Sequence, residues 1–154
     1  AYKILQEAYS NGRKLLVCGN GGSASDSEHI VGELMKEFKL KRKVYADQAE
    51  VLKTIDPEMG ATLAESLQGA LPAICLTGHS ALTTAFMNDA NADLVFAQQV
   101  NGYGKANDVF LGISTSGSSK NVCYAAITAK SKGNCYVYVY AVNGLAKKIK
   151  VTVK

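Results

Sequence analysis

A short stretch near the start of the chain decides its fold: LLVCGNGGS, residues 15–23. Its first four residues form a continuous apolar run, a glycine-rich turn comes next, and a helical pattern follows at once. A run that is apolar throughout, rather than alternating, is typical of a strand buried on both faces in a parallel sheet that helices cover. The stretch therefore predicts one strand, turn and helix unit of an α/β protein.

The same unit recurs further along the chain. Runs 73–76 and 109–113 are each followed by a glycine- or serine-rich turn and a helical pattern, which extend to about residue 87 and residue 132. Two more strand-like runs lie at 135–142 and 149–153. Together these runs predict a doubly wound α/β fold, a parallel sheet of about five strands flanked by helices.

The domain organisation is predicted to be a single domain over residues 1–154, truncated at both ends. The chain begins inside a helical pattern that Asn11 and Gly12 close, and it stops on its last strand. A helical insertion is expected around residues 45–71. There Asp56 and Pro57 are typical of a helix start, and the helix would carry Leu63.

Composition excludes several classes of protein. Of 154 residues, 47% are apolar, 19% are charged and two are Pro, which is neither a disordered nor a fibrous composition. There is no apolar run of the ~18 residues that a membrane span needs, and no secretory segment opens the chain. We expect a soluble, cytoplasmic protein.

Charge and cysteine content bound the partners. A net charge of +4, with basic residues concentrated at 36–43 beside few aromatic residues, gives only weak support to a nucleic-acid partner. The four cysteines show no CxxC spacing. They are predicted to be buried free thiols in a reducing compartment rather than disulfides or a zinc knuckle.

Two glycine- and serine-rich turns are candidate anion sites. In an open parallel sheet the ligand lies at the carboxyl ends of the strands, where helix N-termini present free N–H groups. Gly19–Ser23 allows close backbone approach, and Ser114–Ser119 offers up to five hydroxyls. Neither turn is a Walker loop, and the first lacks GxGxxG spacing, so a small phosphate ester fits better than a nucleotide. Ordinary turns and helix caps use the same residue types, but two such turns at equivalent positions favour binding.

The first helix after the glycine turn holds a second candidate, His29 and Glu33, four residues apart and so on one helix face. Helical periodicity predicts that this face also carries Asp26 and Lys36, and that the core is faced instead by Ile30, Val31, Leu34, Met35 and Phe38. The pair is then either part of a solvated face or part of a site that another subunit completes. A carboxylate there could move a proton between sugar carbons, and His with Glu could supply two metal ligands, too few for tight binding.

Other polar residues carry weaker signals. His79 is predicted to be a cap or loop residue, and Asn88 with Asp89 ends its helix in a turn or hydrogen-bonds a sugar hydroxyl. The helix over 118–132 should turn small residues toward the sheet, namely Val122, Ala125, Ala126 and Ala129. That would leave Cys123, Tyr124 and Ile127 outward, where a partner would cover them.

Two segments carry a family resemblance: LVCGNGGSASDSEH at 16–29 and LGISTSGSSKNV at 111–122. They resemble the signature stretches of the sugar isomerase (SIS) domain family, and within it those of the phosphoheptose isomerases. The resemblance implies a homotetramer of flavodoxin-like domains with sites at subunit interfaces. It implies that the phosphate is bound by Ser23, Ser114, Thr115, Ser116 and Ser119, and the sugar by Asn20, Asn88 and Asp89. Gly21 and Gly22 would belong to the same substrate-binding site.

The resemblance also implies an activity, in which Glu33 is the base of an aldose–ketose isomerisation through an enediol, from sedoheptulose 7-phosphate to a heptose 7-phosphate. His29 and Glu33 would supply part of a zinc site. The family's C-terminal helix, whose Gln and His complete that site, has no counterpart up to Lys154, so the zinc site is expected to be incomplete in this chain. The alternative is a non-catalytic phosphosugar-binding protein that acts as a regulator or a replication-initiation partner. The basic run 36–43 favours this alternative, whereas Glu33 and His29 favour the enzyme.

Overall fold

The computed structural model describes residues 2–133, 137–139 and 147–148, with side chains described up to residue 133. These residues form two compact units. Residues up to Val31 and from Pro72 onward make the first, and Gly32–Leu71 makes the second. In chain order the elements are α1 (Tyr2–Ser10), β1 (Leu15–Gly19), α2 (Gly22–Met35), α3 (Ala46–Ile55), α4 (Pro57–Ser66), β2 (Ala73–Cys75), α5 (Ser80–Asp89), α6 (Val95–Tyr103), β3 (Val109–Ile113), α7 (Lys120–Ser131), β4 (Val137–Val139) and β5 (Lys147–Lys148).

The first unit contains a sheet of strand order β2-β1-β3-β4-β5. The strands β2, β1, β3 and β4 are parallel, and β5 pairs antiparallel with β4. The doubly wound α/β class predicted from the sequence is confirmed, with one difference, the direction of the short β5. The strand predicted at 149–153 lies outside the described residues, and β4 is the described part of the run at 135–142.

The core of this unit lies between the sheet and the helices α6 and α7. Phe110 of β3 and Leu16 of β1 are buried there with Val100 of α6. The predicted face of α7 is confirmed, because its buried residues are Val122, Ala125, Ala126 and Ala129. Gly112 of β3 is needed for this packing, since a Cβ there would come within 2.6 Å of a Val122 methyl group.

The cysteines differ from one another in burial. Cys18 is fully buried in the core, Cys75 is half-buried and Cys123 is exposed on α7, while Cys135 lies outside the described residues. All three described cysteines are free thiols, but the prediction that they are buried is wrong for Cys123. Helical periodicity predicts Cys123 on the outward side of α7, and the structure confirms that prediction. For this residue, position on the helix predicts burial better than residue type does.

Helix α2 packs differently from the sequence prediction. Its buried residues are Ser23 and Ser27, and the Ser27 hydroxyl donates to the Ser23 carbonyl at 2.7 Å. The apolar residues that helical periodicity predicts to face the core are not the buried ones, since Met35 is 46% exposed and Phe38 is 72% exposed. Small side chains allow a helix to approach closely, and a hydropathy count does not register that property of serine.

The second unit contains the helical segment expected around 45–71, but with two helices rather than one. Helix α4 begins at Pro57 as predicted, and the Asp56 side chain accepts hydrogen bonds from the Glu58 and Met59 N–H groups. Gly60 lies so close to the Leu52 carbonyl that a Cβ would overlap it. That this segment is an insertion remains a prediction.

At the amino ends of β1 and β3, Asp108 joins three separate groups. Its carboxylate accepts from the Lys14 N–H at 3.1 Å, the Lys14 ammonium at 2.5 Å and the Lys105 N–H at 2.8 Å. Asp108 is only 6% exposed. A buried carboxylate needs such partners, so this end of the sheet is fixed by charge-assisted hydrogen bonds, opposite to the end that carries the two candidate loops.

Candidate functional site

The first candidate loop, Gly19–Ser23, is shaped by its backbone. Gly19 leaves no room for a side chain, because a Cβ there would lie 2.6 Å from both the Cβ and the carbonyl oxygen of Ser23. Gly21 adopts a φ of +56°, which favours glycine. The Ser23 N–H donates to the Asn20 carbonyl at 3.0 Å, so the loop turns tightly into α2. We call these five residues loop one.

The second candidate loop, Ser114–Ser119, is shaped by hydroxyl groups, and we call it loop two. The buried Ser114 hydroxyl lies 3.0 Å from that of Ser119 and accepts from the Gly117 N–H at 3.1 Å. The Ser118 hydroxyl donates to that of Ser116 at 3.0 Å. Thr115 and Ser116 are exposed. The hydroxyls therefore form a connected group at the N-terminus of α7, where an anion is stabilised by the helix dipole.

The structure brings these two loops together, because β1 and β3 are adjacent parallel strands and Gly19 is paired with Ile113. An amide pair joins loop one to the first turn of α7, directly after loop two. The Asn20 side-chain N–H donates to the Asn121 side-chain oxygen at 3.0 Å, and Asn121 donates back to Asn20 at 2.9 Å. Asn121 belongs to the second motif of the family resemblance, but the sequence did not predict it as a site residue. The feature that could have indicated it is its position two residues after loop two.

The next strand end, after β2, carries a chain of polar contacts that the sequence did not indicate. The Thr77 hydroxyl donates to the Glu28 carboxylate of α2 at 3.1 Å and lies 2.9 Å from the Cys75 sulfur. The Gln99 side chain of α6, 1% exposed, donates to the Leu76 carbonyl at 2.9 Å. Because α6 was not predicted, no pattern in the sequence could have placed Gln99 at this strand end.

The residues predicted around the second helix lie at the periphery. His79 precedes the first residue of α5 without a side-chain capping bond, and its ring stacks on Tyr103 with centroids 5.6 Å apart. Asn88 and Asp89 are exposed at the end of α5, where the Asn88 amide donates to the Asp89 carboxylate at 2.8 Å. This contact agrees with the turn interpretation, and a role in binding the sugar stays a prediction.

His29 lies in a shallow cavity of about 340 Å³ at the carboxyl half of β3, which Asp26, Ile30, Leu111 and Ile113 also line. Asp26 is exposed and Ile30 is partly buried, which agrees with the predicted polar and apolar sides of α2 at this point of the helix. His29 is exposed. Its imidazole shares this cavity with Leu111 and Ile113 of β3 and is available for hydrogen bonding to a ligand.

Glu33 lies one helical turn further along α2. One carboxylate oxygen accepts from the Lys36 ammonium at 3.0 Å, and the other is buried without a hydrogen-bond partner among the described residues. A free, buried carboxylate oxygen is costly unless a ligand uses it. Glu33 therefore has the chemical features of a proton acceptor, and its role as the base stays a prediction.

A metal ion does not fit the described donor set. His29 and Glu33 offer two ligands, but the described part of the chain contains no group of three His, Cys, Asp or Glu side chains placed to hold an ion. Structural zinc sites use four protein ligands and catalytic zinc sites use three. The described residues therefore do not form a zinc site.

The arrangement as a whole defines a class of protein. A doubly wound sheet places one backbone-shaped loop and one hydroxyl-rich loop side by side at the carboxyl ends of its strands, each leading into a helix N-terminus. This is the position at which α/β proteins bind small anionic ligands. Every helix in the described ranges is too short or too polar to cross a bilayer.

Comparisons with known proteins agree with this class. The family model described as the SIS domain matches residues 52–144, more than half of the chain, and the chain belongs to this family. A phosphoheptose isomerase of Clostridium acetobutylicum is 39% identical over 131 residues, covering 85% of this chain and 54% of that protein. A phosphoheptose isomerase of Citrifermentans bemidjiense is 39% identical over 133 residues, with coverage of 86% and 56%.

Solved structures give the same picture. Phosphoheptose isomerase GmhA from Neisseria gonorrhoeae matches with a TM-score of 0.67 and 30% identity, covering 99% of this chain and 64% of that one. A phosphoheptose isomerase from Francisella tularensis matches with a TM-score of 0.68 and 29% identity, with coverage of 92% and 61%. The chain spans little more than half the length of the curated relatives named above. The resemblance found in the sequence is confirmed at the level of the family.

Proposed function

We propose that this protein is a phosphosugar isomerase that interconverts sedoheptulose 7-phosphate and a heptose 7-phosphate. The observation that carries the proposal is the pairing of loop one with loop two at the carboxyl ends of β1 and β3. The shared similarity to proteins named phosphoheptose isomerase gives the substrate class. The same similarity favours the enzyme over the non-catalytic alternative.

In this proposal the two loops hold the phosphate group. The free N–H groups at the start of α7 and the exposed hydroxyls of Thr115 and Ser116 donate hydrogen bonds to its oxygens. Loop one contributes Ser23 and the backbone of Gly21 and Gly22, which approaches closely because glycine has no side chain. The hydroxyls of loop two hydrogen-bond to one another in the absence of a ligand. Because a hydroxyl hydrogen rotates about its own bond, each can donate to the phosphate instead without any movement of the backbone.

The isomerisation moves one proton between adjacent carbons. The Glu33 carboxylate removes a proton from C1 of the ketose, and the electron pair forms the C1–C2 double bond of an enediol as the C2 carbonyl oxygen takes a proton from a water molecule. Glu33 then returns its proton to C2, while the C1 hydroxyl gives its proton back to water and becomes the aldehyde, so that no proton is gained or lost overall. No oxidant is needed. Lys36 holds one oxygen of Glu33 at 3.0 Å and leaves the other available for the proton.

The test uses the full-length protein, with and without added zinc, and sedoheptulose 7-phosphate in heavy water. Exchange of solvent deuterium into the sugar, followed by NMR, reports the proton transfer. Glu33→Gln should slow it by about 10² to 10⁴-fold, and Glu37→Gln, a nearby carboxylate outside the site, should not. Binding of the sugar phosphate without any exchange would support the non-catalytic alternative, and full activity in Glu33→Gln would exclude this base.

We also propose a homo-oligomer, a tetramer as the family resemblance implies, in the cytoplasm. The support lies on α7, where Tyr124 is 43% exposed and Ile127 is 59% exposed beside Cys123. Exposed apolar side chains that share one helix face are typical of interfaces. Light scattering at micromolar concentration should give a mass of four chains, and a monomer would contradict the proposal. Neither a nucleic acid nor a membrane is a proposed partner.

A further inference from the structure

The amide pair between Asn20 and Asn121 joins two segments that are 101 residues apart in the sequence. Both side chains donate and both accept, at 3.0 Å and 2.9 Å. In the described part of the chain no other side-chain hydrogen bond connects loop one with loop two or with the first turn of α7 that follows it. Beyond the backbone pairing of β1 with β3, this reciprocal contact is therefore the side-chain link that fixes loop one to the start of α7.

The two partners are not equally fixed. The Asn121 side-chain oxygen also accepts from the Val122 N–H at 3.0 Å, in the first turn of α7. The adjacent Val122 side chain is buried in the core. Asn121 is thus held by a helix that packs on the core. Asn20 belongs to a loop of small residues, and nothing lies within 4 Å of the Cβ position of its neighbour Gly21. The direction of support runs from α7 to loop one.

We infer that Asn121 is a positioning residue that fixes loop one against loop two and so sets the affinity for the phosphate ester. This inference rests on the proposed function and adds a residue to it. The pair leaves one N–H of the Asn20 amide free, so Asn20 can still donate to a ligand. Loss of Asn121 lets loop one sample more conformations, and binding must then order it at a cost in affinity.

The experiment has one arm that needs no substrate. Hydrogen exchange of the full-length protein is measured on peptides that cover residues 19–25, in the parent, in Asn121→Ala and in the control Asn101→Ala, an exposed asparagine of α6. We expect exchange in this segment to be about tenfold faster in Asn121→Ala than in the parent, and unchanged in the control Asn101→Ala. Asn121→Asp keeps the size and the acceptor but replaces the donor to Asn20, so it should act in the same direction and guards against misfolding of the alanine variant.

The second arm measures sedoheptulose 7-phosphate turnover in Asn20→Ala, Asn121→Ala and the double variant. Asn121→Ala should raise KM about five- to tenfold and change kcat less than twofold, and the same change should have little effect when Asn20 is already alanine. Additive effects, or unchanged exchange at 19–25, would overturn the inference. If the parent neither binds nor converts the sugar phosphate, the proposed function fails, while the exchange arm still decides on the amide pair.

Discussion

Loop one and loop two occupy equivalent positions after β1 and β3, yet they are built on different principles. Loop one keeps its shape through excluded space, because a Cβ on Gly19 would lie 2.6 Å from Ser23. Loop two keeps its shape through hydrogen bonds among Ser114, Ser116, Ser118 and Ser119. Repulsion at short distance is steep, whereas a hydroxyl rotates at little cost. Loop one is therefore shaped by close steric contact at Gly19, and loop two is shaped by hydrogen bonds that its hydroxyls can rearrange.

The largest expected effect is on loop one, at the crowded position of Gly19. Gly19→Ala should lower the free energy of unfolding by about 3 kcal/mol, because the neighbouring atoms are a Cβ and a carbonyl of α2 that cannot move away. Gly32→Ala, within α2 and with open space around it, should raise the free energy of unfolding by about 0.5–1 kcal/mol. Urea denaturation of both variants checks this pair, and equal midpoints would contradict the steric account of loop one.

A smaller effect is expected in the hydrogen-bonded loop two. Ser114→Ala removes the buried hydroxyl that contacts Ser119 and accepts from Gly117, and should cost about 1–2 kcal/mol of stability. Ser118→Ala removes only an exposed hydroxyl bonded to Ser116 and should cost less than about 0.5 kcal/mol. Thermal unfolding of the two variants would sharpen the comparison. Equal losses would mean that Ser114 is not the centre of the network.

The turn of loop one provides a finer test. Gly21 has a φ of +56° and nothing within 4 Å of its Cβ position, so a substitution there is limited by backbone conformation rather than by space. Gly21→Ala should cost about 1 kcal/mol, and Gly21→Asn should cost less, because asparagine tolerates the left-handed region. Denaturant midpoints for the two variants check the order. The reverse order would show that side-chain space governs this position.

The smallest effect concerns the residues that lead into the loops, where Cys18 of β1 is paired with Gly112 of β3. Burial raises the pKa of the Cys18 thiol well above its ordinary value, and the nearby Cys75 adds to the shift. In the unfolded chain the thiol loses its proton above pH ~8.5, which stabilises only the unfolded state. Native stability should therefore fall by about 0.8 kcal/mol between pH ~7 and pH ~9.

The control for this pH dependence is Cys18→Ala, measured under reducing conditions. It removes the raised pKa, so the corresponding part of the decrease should vanish. An identical slope in the parent and in the variant would assign the decrease to other groups. The half-buried Cys75 and the exposed Cys123 remain in both proteins, so any contribution from them cancels.

Much of the fold could be predicted because the decisive strands are buried on both faces. Continuous apolar runs located β1 and β3 to within one residue, and the small residues of α7 identified its buried face. Helix α6 was missed because its buried face contains Gln99, a polar residue that satisfies part of its hydrogen bonding through the Leu76 carbonyl. Such a contact depends on tertiary packing and leaves no periodic trace.

The candidate site was predictable in its loops and not in its connections. Glycine and serine clusters after buried strands located loop one and loop two. The contacts of Asn20 with Asn121 and of Thr77 with Glu28 join residues far apart in the chain, and nothing in local sequence specifies which amide or carboxylate meets which. The apolar side of α2 was misjudged for a similar reason, because close packing selected Ser23 and Ser27.

The strand order β2-β1-β3 has a consequence for synthesis on the ribosome. Strand β1 is made before β2 and β3, yet Lys14 meets Asp108 only 94 residues later, and Asn20 meets Asn121 after 101 residues. At about 5–20 residues per second, the nascent β1 waits on the order of 5–20 seconds for those partners. During that time an entirely apolar strand is open to chaperones and to aggregation. Loop one is translated before β2 and β3, but it acquires its final shape only after Asn121 has been made.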